Sequence, residues 1–473
     1  MIARKIAYNV VFNGITKFIS IGLAIFSIGM LQHYLGVTGY GKYTTVLFYF
    51  ALFGSVSDLG LHSIMTREIS KKSANESEIL SKIFTLRVLI SFSVFLISLI
   101  LIPLVSILFF HYPIDIQIGI LIAGISFLLS SSYGLLNGLF QKKLAMDKIA
   151  LTELAGKVIQ AIIIILAVKL NKSFLFAVNS LLFSMVFNFI IIYFLANKFV
   201  KIRFIIDLPY WKKFLKKSLP LGIGAIATFC YFNIDTLLLG FFHTQEQVGI
   251  YGAAYKIIGT LVFFPAMVIG LVFPLFSRYI NEKEKFNKIV NITFKFFIII
   301  VTPLVVSVQF LADEIVTIIG GAEFIRSAFP LQLLIFALAF IFFGQLSTNI
   351  LIAASKQKTL MKILIGVAIF NLSANIIFIP LYSYNGAALI SVISEFLVTI
   401  ISFFVLFKNN IYRPNVPKIL FIFLAGIIML SVYCFSKLFL PVTVILAVLS
   451  YFFILFIFKV ISKSEIQQLL LRK

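Results

Sequence analysis

Apolar runs of about twenty residues recur from one end of this chain to the other, and no other feature constrains its fold as much. A helix rises about 1.5 Å per residue, so a run of about 20 residues crosses the hydrocarbon of a bilayer. Within lipid every backbone N–H and C=O must be satisfied by the fold itself, which leaves helices or a closed barrel. Barrel strands would be about 10 residues long and would alternate apolar with polar, and that alternation is missing. Composition agrees, with 61% hydrophobic and 12% charged residues and a mean hydropathy of +1.10. Soluble domains hold about 25% charged residues, so this chain has too little polar surface to face water. We read it as an all-α integral membrane protein.

Segmentation predicts about fourteen transmembrane helices. They fall at about 7–31, 43–65, 82–108, 115–140, 148–170, 173–197, 216–242, 249–276, 287–311, 327–353, 361–383, 385–407, 417–438 and 440–461. The connections alternate in charge. One side gathers Arg4, Lys5, Arg67, Lys71, Lys142, Lys143, Lys198, Lys201, Lys212, Lys213, Arg278, Lys356, Lys408 and Lys473 among others, whereas the other holds only Lys42, Lys169, Lys172, Arg326 and Lys437. Cationic loops stay in the cytoplasm. The expected topology is therefore multi-pass in the cytoplasmic (inner) membrane with both termini inside. The net charge of +23 then reflects topology and attraction to anionic membrane lipids, not nucleic acid. The start of the chain lacks a small-residue cleavage site and is read as leading directly into the first helix.

Cys230 and Cys434 lie in separate apolar runs and are read as buried packing residues, and the four histidines form no ligand-spaced cluster, so no metal site is expected. No outside loop exceeds about 15 residues by this segmentation, which leaves no room for an extracytoplasmic catalytic domain. The longest cytoplasmic connection, near 197–217, is basic, contains Pro209 and Trp211, and reads as an amphipathic linker between two halves.

A repeat supports that division. Gly39-Tyr40-Gly41-Lys42-Tyr43 opens the second predicted helix and Val248-Gly249-Ile250-Tyr251 opens the eighth, each after a Leu-Gly step, Leu35-Gly36 and Leu239-Gly240. Six helices against six is the internal symmetry of a secondary transporter. The expected units are an N-terminal lobe at 1–203, a C-terminal lobe at 204–410, and a final helix pair with its tail at 411–473.

These same residues carry a resemblance. The order Leu35-Gly36, Gly39 to Tyr43, Asp58-Leu59-Gly60-Leu61 and Arg67-Glu68-Ile69 resembles the start of Wzx-type polysaccharide-unit flippases of the multidrug/oligosaccharidyl-lipid/polysaccharide exporter superfamily. The second half adds Asp235 to Gly240, Val248 to Tyr251, Asn349 to Lys358, Asn371, Asn375, Ile379-Pro380, Asn385-Gly386-Ala387-Ala388 and Ser394-Glu395. No single motif is specific; their order and spacing are. The resemblance implies two six-helix lobes around a central cavity. It also implies transfer of an undecaprenyl-pyrophosphate-linked oligosaccharide from the inner to the outer leaflet. A polysaccharide polymerase and chain-length machinery would be partners, no cofactor is implied, and the coupling ion stays open between H+ and Na+. A monomer is expected, since the two lobes already supply a cavity.

Ionisable residues at membrane depth cost a few kcal/mol each, so they should face protein or water. Lys17, Asp58, Glu153, Lys157, Asp235, Lys256, Lys295 and Glu395 are mid-span by this segmentation. Asn9, Asn13 and Lys17 repeat at i, i+4 on one helix face; Thr228, Tyr231 and Asp235 form a second stripe, and Ser391, Glu395, Thr399 and Ser402 a third. Such stripes line a wet cavity or glue helices together by hydrogen bonds. For an anionic lipid pyrophosphate, Lys17, Lys157, Lys256 and Lys295 with Asn13 are the candidate cavity residues. Lys157 has a competing role as an in-helix partner of Glu153. Asp235 and Glu395 are candidates for ion coupling, Asp58 for gating, and Pro265 for a hinge. Arg87 lies near a helix end and is expected to snorkel. Two rival functions remain, a drug or organic-cation exporter of the same superfamily and a membrane glycan polymerase. The short outside loops argue against the polymerase, and the lysines argue against the exporter. The chain is therefore expected not to be an enzyme.

Overall fold

The computed structural model describes residues 2–70, 75–143, 145–415, 418–436 and 439–460, with side chains given at Phe12 and from Gly14 onward. Every regular element among them is helical: α1 (Ile2–Asp58), α2 (Leu61–Ile69), α3 (Glu76–Val105, extended by a π turn Ser106–Phe110), α4 (Ile114–Lys142), α5 (Met146–Lys169), α6 (Phe174–Asn197) and α7 (Leu208–Phe242). There follow α8 (Gln245–Leu261), α9 (Phe263–Tyr279), α10 (Lys283–Gly320), a short 3-10 turn Ala322–Ser327, α11 (Ala328–Ala353), α12 (Gln357–Lys408), α13 (Ile419–Phe435) and α14 (Leu440–Ile457). Among the described residues eleven helical stretches are long and apolar enough to cross a membrane, and α13 is a shorter apolar helix. Large apolar side chains such as Ile100, Phe194 and Phe453 are exposed along them, as lipid-facing surfaces require.

Two helices are too long for one crossing. At about 1.5 Å per residue, the 57 residues of α1 would far exceed a bilayer core. Gly36 breaks α1 with φ 64° and ψ −177°, a backbone open to glycine because it has no Cβ. Ser383 (φ 51°, ψ −136°) breaks α12 in the same way. The expectation of fourteen spans thus rests on reading each half of α1 and of α12 as a crossing, together with α13. The loop expected at 32–42 is helical on both sides of Gly36, and the helix expected at 43–65 is interrupted at Leu59 and Gly60, both at positive φ. The helix expected at 249–276 is divided at Val262. α8 ends at Leu261, the i−4 residue whose carbonyl the Pro265 ring excludes.

By compactness the chain forms two units, Met1–Gly252 with Ile318–Phe324, and Ala253–Thr317 with Ile325–Lys473. This is a division by packing, distinct from the division by sequence repeat. In the first unit the two repeat motifs cross. A Cβ on Gly41 would lie 1.7 Å from the Gln245 carbonyl oxygen and 2.9 Å from Gly249 N, and one on Gly249 would lie 2.1 Å from the Val37 carbonyl oxygen and 3.0 Å from Gly41 N. Each glycine thus rests on the other and on the residue four before it, a reciprocal contact that relates the two motifs by a local two-fold.

The connection expected as a linker is instead a bound strap. Ser77, Ser81 and Thr85 lie four apart on one face of α3. The Ser77 hydroxyl donates to the Lys201 carbonyl at 2.6 Å, Arg203 N donates to Ser81 Oγ at 3.0 Å, and Ile205 N donates to Thr85 Oγ1 at 2.9 Å. Two extended residues advance about 6.6 Å and four helical residues about 6 Å, so strap and helix stay in step. α7 then begins at Leu208, eight residues earlier than segmentation put it. Asp207 caps it by accepting from Tyr210 N at 3.0 Å, and Pro209 occupies the first turn. Trp211 and Phe214 are buried, with Trp211 Nε1 donating to the Lys82 carbonyl at 2.9 Å. Lys82 Nζ also lies 2.8 Å from Asp207. That hydrogen bond, with the Tyr210 amide, holds the Asp207 carboxyl below its ordinary range.

In the second unit α13 and α14 pack on α10, through Tyr451 donating to the Ile299 carbonyl at 3.0 Å and a stack of Phe310 on Tyr433. Cys230 and Cys434 are exposed on their helices, not buried. Hydropathy marks a residue as out of water without distinguishing lipid from protein interior.

Candidate functional site

The candidate residues divide between the two units. Lys17, Asp58, Lys157 and Asp235 belong to the first, and Lys256, Pro265, Lys295 and Glu395 to the second. The side chain of Asn13 lies outside the described residues.

Asp58 closes α1 and pairs with Arg87 on α3, Oδ1 to Nη1 at 2.9 Å. Arg87 is 5% exposed, so it does not snorkel. Its Nη1 also donates to the Ser57 carbonyl at 2.6 Å and its Nε to Ser131 Oγ on α4, while Ser131 and Ser91 hydroxyls lie 2.7 Å apart. A cation this deep is held by a carboxylate, a carbonyl and a hydroxyl from α1 and α4, as a buried charge must be. A pairing of Asp58 with a cation is readable from the sequence, but not the identity of its partners, because Ser131 lies 44 residues from Arg87 and pairing across that distance leaves no local pattern.

Asp235 on α7 is 4% exposed. Its carboxylate accepts from Thr236 N at 2.7 Å and from the Tyr251 hydroxyl. Tyr251 is fully buried and ends the second repeat motif, so the motif signals a hydroxyl aimed at this acid. Lys157 on α5 is partly buried and donates to Gln160 Oε1 at 3.0 Å, while Glu153 accepts from the Tyr133 hydroxyl at 3.3 Å.

Lys17 on α1 is partly buried and Lys256 on α8 is exposed. Lys295 on α10 and Glu395 on α12 are each 8% exposed, and Pro265 is buried in α9. The polar stripe of Glu395 is used in packing at Thr399, which donates to the Phe340 carbonyl of α11 at 2.9 Å. Beside it Asn375 donates to Asn371 at 3.1 Å, and Asn371 to Ser394 at 2.9 Å. At these positions the stripe acts as interhelical glue. The described residues hold no cluster of three or more His, Cys, Asp or Glu suited to a metal.

Residues 2–280 match the model of a family described as polysaccharide biosynthesis protein. An uncharacterized membrane protein of Methanocaldococcus jannaschii is 26% identical over 255 residues, 53% of this chain and 50% of that protein. A probable low-salt glycan biosynthesis flippase of Haloferax volcanii is 25% identical over 114 residues, 24% of each. The chain thus spans half or less of the length of these relatives. Among solved structures, the lipid II flippase MurJ in an inward closed conformation superimposes with a TM-score of 0.77 at 17% identity, covering 98% of this chain and 100% of that one. An inward-facing multidrug resistance transporter of the MATE family gives 0.63 at 15% identity, covering 91% and 100%. These likenesses show the fold.

Proposed function

The chain belongs to the polysaccharide biosynthesis protein family, and from that premise we propose that it is a flippase for undecaprenyl-pyrophosphate-linked oligosaccharide repeat units. It carries them from the inner to the outer leaflet of the cytoplasmic membrane by alternating access of the repeat-related lobes, coupled to H+ or Na+. The family match over more than half of the chain carries this reading. The likeness of part of the chain to a probable glycan biosynthesis flippase supports the choice of cargo.

The chemistry asked of the protein is recognition and release. A lipid pyrophosphate brings two or so negative charges to membrane depth. Lysines meet them as compact, hydrated point charges and can release them again, where a bidentate arginine fork would hold longer. Lys17, Lys157, Lys256 and Lys295 on α1, α5, α8 and α10 are the proposed receiving groups, with Asn13, four residues before Lys17 in the sequence. Asp235 and Glu395 are the proposed coupling acids, Asp58 the gating group through Arg87, and Pro265 the hinge. Nothing in this scheme breaks or makes a covalent bond.

Binding of undecaprenyl-pyrophosphate oligosaccharide to the purified protein tests the site. Lys17→Ala and Lys256→Ala should each weaken it about tenfold, the loss of one charge-assisted contact. Unchanged affinity in both would remove these lysines from the site. Export of an organic cation is the second reading, favoured by the likeness to a multidrug transporter. Extrusion of such a cation from proteoliposomes, without binding of the lipid-linked glycan, would select it.

A further inference from the structure

We propose that the strap 198–207 and the first turns of α7 form a docking surface for anionic phospholipid headgroups on the cation-rich face of the protein. This holds whatever cargo the transporter carries.

The surface has two kinds of side chain in separate rows. In the extended strap alternate residues share one side, and Phe204, Ile206 and Leu208 are 70%, 72% and 67% exposed. The main-chain hydrogen bonds to Ser77, Ser81 and Thr85 of α3 fix that row within the first three turns of a membrane-spanning helix. The row thus lies within about 14 Å of the start of α3, as it would in an interfacial segment that seats its apolar face at the headgroup and acyl boundary. The second row is cationic. On α7, Trp211, Phe214 and Ser218 turn inward, while Lys212, Lys213, Lys216 and Lys217 on the opposite face are exposed. Lys198, Lys201 and Arg203 extend the row along the strap and are also exposed. The one acid in 198–217 is Asp207, already engaged by Lys82, and the nearby Glu68 lies 3.8 Å from Lys217.

Charge selects an anion, and the exposed apolar row selects one attached to an acyl chain. A free phosphate would leave Phe204, Ile206 and Leu208 in water. A phosphatidylglycerol molecule would place its phosphate at the lysines and its chains against the apolar row. The strap is bonded to α3 before any lipid arrives, so little ordering is needed on binding.

Trp211 is the single tryptophan of the chain and is buried directly beneath this surface, within the short range over which bromine on an adjoining lipid quenches. The full chain is reconstituted in phosphatidylcholine bilayers with a minor fraction of phosphatidylglycerol, and bromine is placed on the acyl chains of one lipid or the other. At low salt, brominated phosphatidylglycerol should quench Trp211 about fivefold more per molecule than brominated phosphatidylcholine, the enrichment from one cation near a headgroup. The preference should fall toward parity in high salt and in the triple variant Lys212→Gln, Lys213→Gln, Lys216→Gln. Unchanged quenching of that variant by brominated phosphatidylcholine would show the strap still in place. If the variant does not fold, the salt series on the natural chain carries the test. Equal quenching by both lipids at low salt overturns the proposal, as does a preference that persists in high salt or in a folded triple variant. Equal quenching would leave the lysines to an acidic protein partner.

Discussion

Replacing Arg87 by methionine should destabilise this protein by about 3 kcal/mol. Removing one partner of a buried ion pair costs about 3–5 kcal/mol, because the other charge is left in low dielectric. Asp58, the charge left behind, has a side chain 30% exposed, so water offsets part of the loss and the low end of that range applies. The Ser57 carbonyl, 2.6 Å from Nη1, also loses its donor. Asp58→Asn leaves the guanidinium buried without its carboxylate and should cost about 2–3 kcal/mol. The double variant Arg87→Met/Asp58→Asn holds no unpaired charge, so it should be more stable than Arg87→Met alone, with a coupling of about 3 kcal/mol. Heating in detergent followed by gel filtration ranks the four proteins. Heat unfolding of a membrane protein is often irreversible, so rank order is the reading to trust. The expected order is natural chain, double variant, Asp58→Asn, Arg87→Met, with the middle two close. Small and additive losses would refute the reasoning, since they are what an arginine snorkelling to the interface would give.

Three further outcomes follow from named contacts. Tyr251→Phe removes a hydroxyl that donates to buried Asp235 and should cost about 1–3 kcal/mol; the same heating assay shows it, and an unshifted midpoint would mean that other donors suffice. Gly249→Ala sets a methyl group against the Val37 carbonyl, whereas a Cβ on Gly270 meets nothing within 4 Å. Yield of monodisperse protein should therefore fall for the first and hold for Gly270→Ala, and equal yields would show that the glycine crossing is not tight. Asp207 has its carboxyl held low by Lys82. A carboxylate depressed on folding stabilises the fold above its unfolded pKa of about 3.9, and that contribution is lost as pH falls through the lower folded value. The melting midpoint of Asp207→Asn should thus lie below that of the natural chain at neutral pH and converge with it in acid; parallel curves would contradict the pairing.

Much of the fold is legible in the sequence because lipid leaves so few alternatives. Long apolar runs can only be helices, and the break expected at residue 384 falls at Ser383. The motifs read as a repeat, around Gly41 and Gly249, turn out to touch each other. Segmentation passed over the start of α7, although Asp207 before Pro209 is an N-cap followed by a first-turn proline, because the basic composition of the segment suggested a linker. The strap itself left no trace, because an extended chain held by Ser81 and Thr85 has its partners about 120 residues away. Arg87 was misread for the same reason. At the candidate site, the mid-span charges stood out by their cost in lipid. Which neighbours they meet, such as Tyr251 for Asp235, depends on packing that no local spacing encodes.

Leaflet exchange of a labelled undecaprenyl-pyrophosphate oligosaccharide, in proteoliposomes holding this protein alone, tests the central claim most directly. The account predicts exchange well above protein-free vesicles, and its collapse in Lys17→Ala and Lys256→Ala vesicles with the same protein content. Vesicles that hold folded protein yet leave the glycan in its original leaflet, under an H+ gradient and under a Na+ gradient alike, would contradict it.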